Sequence, residues 1–298
     1  MDSIRRVLKN PLGATGVTII LFWAIIALMA PVLAKPKNPD NPYAIKRVGY
    51  SALPTPPSPK SILGTTGGGY DIFYGMVWGA RTSFKVGLIV VSCTFLIGVA
   101  LGGIGAYIGG TCDMIIMRIT DLFMSFPFLI AVIIVSIVLG KGQDKVILAM
   151  IVFGWRQYAR ITRSEVLSIK NKDFVMAARS IGVDESKIFL FHVLPNSIFP
   201  VFVIAFIDIG VTALAAASMS FIGVGAEPGY ADWGQMITFS KNWLLGIEGD
   251  TLHYWYTYTY PSIAIVSFIL GWTLLGDTLR DVLDPKLRRK GTKKIESN

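Results

Sequence analysis

Charged side chains make up only 16% of the 298 residues, against about 25% in an average soluble domain, and this scarcity excludes an ordinary soluble protein. Histidine occurs only at His192 and His253. The topology derived below puts them on opposite sides of a membrane, which excludes a shared metal site or a histidine relay. The two cysteines, Cys93 inside an apolar run and Cys112 at the end of one, supply neither a disulfide framework nor metal-ligand spacing. No Gly-x-x-x-x-Gly-Lys-Ser/Thr loop occurs, so the chain has no phosphate cradle of the usual kind, and no catalytic constellation is found. The net charge of +9 reads as a membrane-orientation signal rather than a nucleic-acid footprint.

What the chain has instead is apolar length, with 53% hydrophobic residues. A hydrocarbon core about 30 Å thick needs roughly 20 helical residues to cross it. Thr15 to Ala34, Phe84 to Ile108, Ile119 to Leu139, Ile198 to Val224 and Ser262 to Leu279 are long enough. A sixth stretch from Val146 is weaker. After Trp155 it carries Arg156, Arg160 and Arg163 on one helical face while Ile161, Val166 and Leu167 keep the apolar period, as in a helix leaving the membrane. The expected fold is all-α and integral to the membrane, with six transmembrane helices. Glycines 98, 102, 103, 105 and 109 in the second span, and Ala213, Ala215, Ala216, Ala217 and Ser218 in the fifth, suit close helix packing within the subunit, or at a dimer seam.

Lysine and arginine set the orientation. Arg5, Arg6 and Lys9, the basic residues from Arg156 to Lys187, and the tail beyond Leu279 all fall on one side of six crossings. Both termini are therefore expected in the cytoplasm. The first stretch is long for a secretory signal core and reads as an uncleaved span, although Val32-Leu33-Ala34 also resembles a cleavage site. Outside, residues 35 to 80 are rich in proline and glycine and predict an ordered loop rather than a domain. The aromatic-rich segment 225 to 260 predicts interfacial rings.

Between the fourth and fifth spans lies a polar, helix-forming insert, residues 173 to 195. Asp173 is placed to cap a helix through Met176, Ala177, Ala178 and Ile181, and Gly182 to end it with positive φ. Asp184 then caps a second short helix over Ile188 to Phe191, which Pro195 follows. Two readings fit this knob: an amphipathic hairpin lying on the inner leaflet, or a docking element for another protein, with small residues at 177 and 178 permitting close approach.

The same residues, Ala177-Ala178, Gly182 and Leu194-Pro195, are similar to the Glu-Ala-Ala loop of the membrane subunits of ATP-binding-cassette importers. Further stretches resemble one branch, the second permease of dipeptide and oligopeptide transporters. These are Ser61-Ile-Leu-Gly-Thr-Thr-Gly-Gly-Gly-Tyr-Asp71, Gly79-Ala-Arg-Thr-Ser83, Asp121 with Phe126-Pro127, Tyr158-Ala-Arg160 with Glu165, Ser220-Phe-Ile-Gly-Val-Gly225 with Trp233-Gly234, and Leu275 to Pro285. The ordered set covers nearly the whole chain. Met176 stands where the loop's glutamate is expected, His192 where isoleucine is common, and Tyr70 where the signature has arginine.

The resemblance implies a type I importer transmembrane domain. It is organised as an N-terminal segment with the first helix and external loop (1–80), a five-helix core (81–283) and a basic cytoplasmic tail (284–298). Asp173, Ala177, Ala178, Gly182, Leu194 and Pro195 would couple to an ATPase. The implied partners are a second, homologous permease forming a heterodimer, two cytoplasmic ATPases that bind ATP and magnesium, an extracytoplasmic peptide-binding protein, and lipid. No cofactor of its own, no metal, no nucleic acid and no enzymatic activity are expected of this chain. Ionisable groups inside spans are costly and mark function: Asp208 and Ser218 are expected on the translocation path and Glu227 near its outer end. Asp121 reads as a cap or an ion pair with Arg118. The alternative is a stand-alone secondary transporter or channel using Asp208 and Asp121.

Overall fold

The computed structural model describes residues 2–244, 250 and 252–283. The basic tail from 284, and residues 245–249 and 251 of the expected external aromatic segment, lie outside the described residues. A short helix α1 (Asp2–Lys9) leads into α2 (Pro11–Leu33), which starts at a proline whose missing N–H is harmless there and is capped by Asn10, accepting from Leu12 N at 3.0 Å. Residues 35 to 71 follow without a helix, held to the rest by Ile45 N–H to Gly229 O (2.7 Å), Ala231 N–H to Tyr43 O (2.7 Å) and a Tyr43–Tyr230 stack. The loop expected over residues 35 to 80 is thus shorter, because helix begins at Ile72.

Asp71 caps α3 (Ile72–Ile108) through Tyr74 N. Its 37 residues make a rod roughly 55 Å long, so the second span begins well before Phe84 and extends beyond the hydrocarbon. α4 (Gly110–Met124) and α5 (Phe128–Leu139) are bent by 85° to each other. The continuous span expected from Ile119 to Leu139 is thus broken, because Pro127 donates no hydrogen bond and disfavours helical backbone at Phe126. α6 (Gln143–Ile169) packs along α3 at backbone contact: a Cβ on Gly98 would stand 2.5 Å from Trp155 O, and one on Gly102 would collide with the Ala159 carbonyl. These glycines serve packing inside the subunit.

Beyond the insert come α9 (Leu194–Ile222), α10 (Trp233–Ser240) and α11 (Trp255–Leu283). Among the described residues four helices are long and apolar enough to cross a membrane, or five if the bent pair counts as one. The expected six is reached only by adding α6, whose three arginines keep it below that measure. The aromatic segment also departs from expectation. Trp233 is 1% exposed, lying between Trp23 (4.9 Å between ring centroids) and Phe268 (5.7 Å), and it donates Nε1–H to Met76 O. Tyr254 and Tyr256 are likewise buried, whereas Trp255 is exposed. A ring that suits a lipid interface also suits a core if its polar atom finds a partner. Leu28 of α2 and Val138 of α5, both aliphatic, face outward instead.

Candidate functional site: an interhelical hairpin and a transmembrane cavity

The insert folds as a hairpin of two short helices, α7 (Asp173–Ser180) and α8 (Glu185–Ile188). Lys172, not Asp173, occupies the N-cap position, and Asp173 sits in the first turn, where its charge complements the helix dipole without capping. Gly182 ends α7 at φ +81°. Its N–H reaches Arg179 O (3.0 Å) and the Val183 N–H reaches Ala178 O (3.2 Å), the paired bonds of a Schellman stop. Asp184 accepts from Ser186 N (2.9 Å) and Lys187 N (3.3 Å). The Ser186 hydroxyl and then these backbone groups hold its carboxyl below the usual carboxylate range.

Two further contacts brace the hairpin. Arg179 grips Glu185 with Nε at 2.6 Å and Nη2 at 3.2 Å, and the Tyr107 hydroxyl of α3 also reaches Glu185. Beneath it Val175, Ala178, Ile188 and Val193 pack on Ala106, Val166 and Ile169. Ala178 is therefore an inward residue, while Ala177, Phe174, Met176 and Ile181 face out. A partner would meet Ala177, not both alanines.

Pro195 does not terminate the second short helix. A π-helical turn, Phe189–Val193, joins α8 to α9, and Pro195 falls in the first turn of α9, where a missing N–H is tolerated. Glu185–Ile222 is one 38-residue helical run. Leu194 turns inward against the main core and Gly103.

About halfway along the bundle a cavity of about 390 Å³ opens between α3, α5, α6 and α9. Asp208 and Ser218 both line it. Glu227 does not: it is exposed past the end of α9, where its backbone carbonyl accepts from Gln235 Nε2 at 2.9 Å. Asp208 Oδ2 accepts the Tyr158 hydroxyl at 2.7 Å, tying α6 to α9. Ser218 spends its hydroxyl on Leu214 O (2.9 Å). Asp121 is outside the cavity and pairs with Arg160 rather than Arg118, and nearby Asp113 holds Arg163 through two 2.7 Å bonds. Tyr158 and Arg156, both on the cavity wall, were not singled out as site residues in the sequence. Nothing local announces that Tyr158 meets a carboxylate 50 positions away.

Between α9 and α11, Asp232 caps α10 through Gln235 N (3.1 Å) and is 3% exposed. Burial pushes its carboxyl up to about 6. Gln235 is fully used, donating to Ala226 O and Glu227 O and accepting from Gly229 N. Among the described residues no group of three or more His, Cys, Asp or Glu could hold a metal ion.

Residues 95–289 match the family described as binding-protein-dependent transport system inner membrane component. The dipeptide transport system permease protein DppC of Alkalihalophilus pseudofirmus is 32% identical over 287 residues, 96% of this chain and 90% of the relative. The protein of the same name from Bacillus subtilis is 34% identical over 288 residues, 97% of this chain and 86% of the relative. Among solved structures, a chain from inward-facing conformations of the MetNI methionine ABC transporter aligns with a TM-score of 0.53 at 19% identity, covering 70% of this chain and 96% of that one. That likeness concerns the fold alone.

Proposed function

We infer, because this chain belongs to the binding-protein-dependent transport system inner membrane component family, that it is the permease subunit of an ATP-driven importer of dipeptides and oligopeptides in a bacterial cytoplasmic membrane. The relatives matched along nearly its whole length are named as dipeptide transport permeases. The stand-alone transporter or channel is not favoured. The expected partners are a homologous second permease, two cytoplasmic ATPases that bind ATP and magnesium, and an extracytoplasmic peptide-binding protein. In this reading the hairpin and both termini face the cytoplasm, and segment 35–71 faces out.

The observation that carries the mechanism is the continuous helix from Glu185 to Ile222. The hairpin braced at one end of it is the proposed ATPase contact, and Asp208, just past its middle, and Ser218, one turn from its far end, line the cavity. ATPase closure moves the hairpin, the helix carries that movement to the cavity wall, and access alternates between the two sides.

Ala177→Trp tests this, since Ala177 is exposed and a large ring there blocks a docking surface without entering the core. ATP-dependent peptide uptake and substrate-stimulated ATPase activity of the reconstituted complex should fall about tenfold or more, a contact loss of about 1.4 kcal/mol or greater. The melting temperature of the isolated permease should stay unchanged. Uptake at the normal rate would remove the hairpin from the coupling route.

A further inference from the structure

The cavity contains a charge that its surroundings do not use. Asp208 receives one hydrogen bond, from Tyr158, and among the described residues no second donor reaches its other oxygen. A structural tie between α6 and α9 does not require that charge, because asparagine would accept the same hydroxyl at a lower cost inside a membrane helix. On the same cavity wall Arg156 is equally uncommitted. One of its N–H groups donates to Phe153 O (2.6 Å), its guanidinium lies 5.3 Å from the centre of the Phe128 ring, and no carboxylate pairs with it among the described residues. One carboxylate and one guanidinium thus face a shared space, with the rings of Phe128, Phe153 and Tyr158 beside them. At about 390 Å³ that space lies at the small end of the roughly 300–1,000 Å³ usual for ligand sites.

We propose that this cavity binds a small zwitterion, its ammonium on Asp208 and its carboxylate on Arg156, while the aromatic wall accepts side chains without selecting among them. The identification of that zwitterion as a short peptide with both ends free rests on the importer reading. Charge-assisted hydrogen bonds are roughly twice as strong as neutral ones, which is enough to discriminate a free end from a blocked one. Tyr158 acts here as a positioning residue that orients the carboxylate and leaves its second oxygen open.

The test uses the assembled complex in lipid nanodiscs and three labelled probes: alanyl-alanine, its N-acetyl derivative and its C-terminal amide. The wild type should bind alanyl-alanine about tenfold or more tighter than either blocked form. Asp208→Asn should lose the preference for the free amino end and keep that for the free carboxyl end. Arg156→Gln should do the reverse, losing the preference for the free carboxyl end and keeping that for the free amino end. Equal binding of all three probes by the wild type, no saturable binding of alanyl-alanine, or identical behaviour of the two variants would overturn the site. The blocked-probe comparison needs no variant, so a folding defect does not rescue the proposal. ATP-driven uptake of alanyl-alanine into sealed vesicles tests the importer reading separately. Uptake together with equal binding of the three probes removes the site and keeps the importer. Binding that depends on Asp208 without uptake removes the importer and keeps the site.

Discussion

Gly182 offers the most direct test of the hairpin because its cost can be isolated. The residue sits at φ +81°, and a Cβ built on it would meet nothing within 4 Å. Substitution therefore causes no collision, and the whole penalty is the backbone's. For an L-residue in the left-handed region that penalty is about 1–2 kcal/mol, smaller for asparagine and larger for a β-branched side chain. The Schellman bonds should open correspondingly more often, so amide exchange at Val183, whose N–H reaches Ala178 O at 3.2 Å, should quicken about 5- to 30-fold in Gly182→Val. The spanning helices, which make no use of that φ, should retain their protection. Stimulated ATPase activity and uptake in the reconstituted complex should then fall in the order Gly, Asn, Ala, Val. Exchange in the valine variant equal to the wild type's would refute the backbone argument. Faster exchange with unchanged uptake would show that the hairpin's shape is irrelevant to coupling.

Two other outcomes follow from the structure. Asp232 is buried with its carboxyl raised from 3.8 to about 6, a difference of about 3 kcal/mol. The folded chain keeps this proton to higher pH than the unfolded one, so stability falls as pH rises from about 4 to 6 and then levels off. Asp232→Asn, which retains a good cap without charge, should flatten the melting temperature across that window, and an unchanged pH profile would count against the burial of a charge there. For orientation, single cysteines at Ser58 and Ala177 in a background lacking Cys93 and Cys112 should differ in intact cells: an impermeant thiol reagent labels position 58 and spares 177. The reverse pattern would invert the topology.

Legibility in the sequence followed how local the physics was. Gly182 and Asp184 were readable because a positive φ and an unsatisfied helix start each select a residue type at one position. Asp173 was misplaced by one residue because the carbonyl of Lys172 already accepts from Val175 and Met176, starting the helix earlier. Pro195 misled because proline breaks a helix interior yet fits a first turn, and the π turn before it absorbs the mismatch. Pro127, by contrast, does break a span, and its apolar neighbours hid this. Composition could not separate interfacial rings from Trp233, since both need an apolar body and one hydrogen-bond partner. The outward and inward roles of Ala177 and Ala178 depend on helix phase against α3 and α6. Asp208 stood out as costly, but its pairing with Tyr158 and the shared cavity with Arg156 are products of tertiary packing that no local pattern encodes.

The geometry also fixes where movement can occur. The run from Glu185 to Ile222 spans 38 residues, roughly 57 Å of helix, and its two ends are held differently. At the end near α10, Phe221 O accepts from Lys241 Nζ (2.7 Å) and Thr238 Oγ1 (3.0 Å), so carbonyls that a helix terminus leaves open are tied to a neighbouring element. At the hairpin end the ties are the Arg179–Glu185–Tyr107 contacts, which are exposed and correspondingly weak, and one small apolar cluster. Between that end and the cavity lie the places where the hydrogen-bond ladder is irregular, the π turn at Phe189–Val193 with Pro195 just after it, and Pro200. In the importer reading, a push on the hairpin would bend the run before Asp208 and pivot the remainder about its end near α10. The cavity wall formed by Asp208, Val211 and Ala215 would swing with it relative to α6. That swing would stretch or close the Tyr158–Asp208 bond, so the group that ties the wall to α6 is also the group whose occupancy the motion would change.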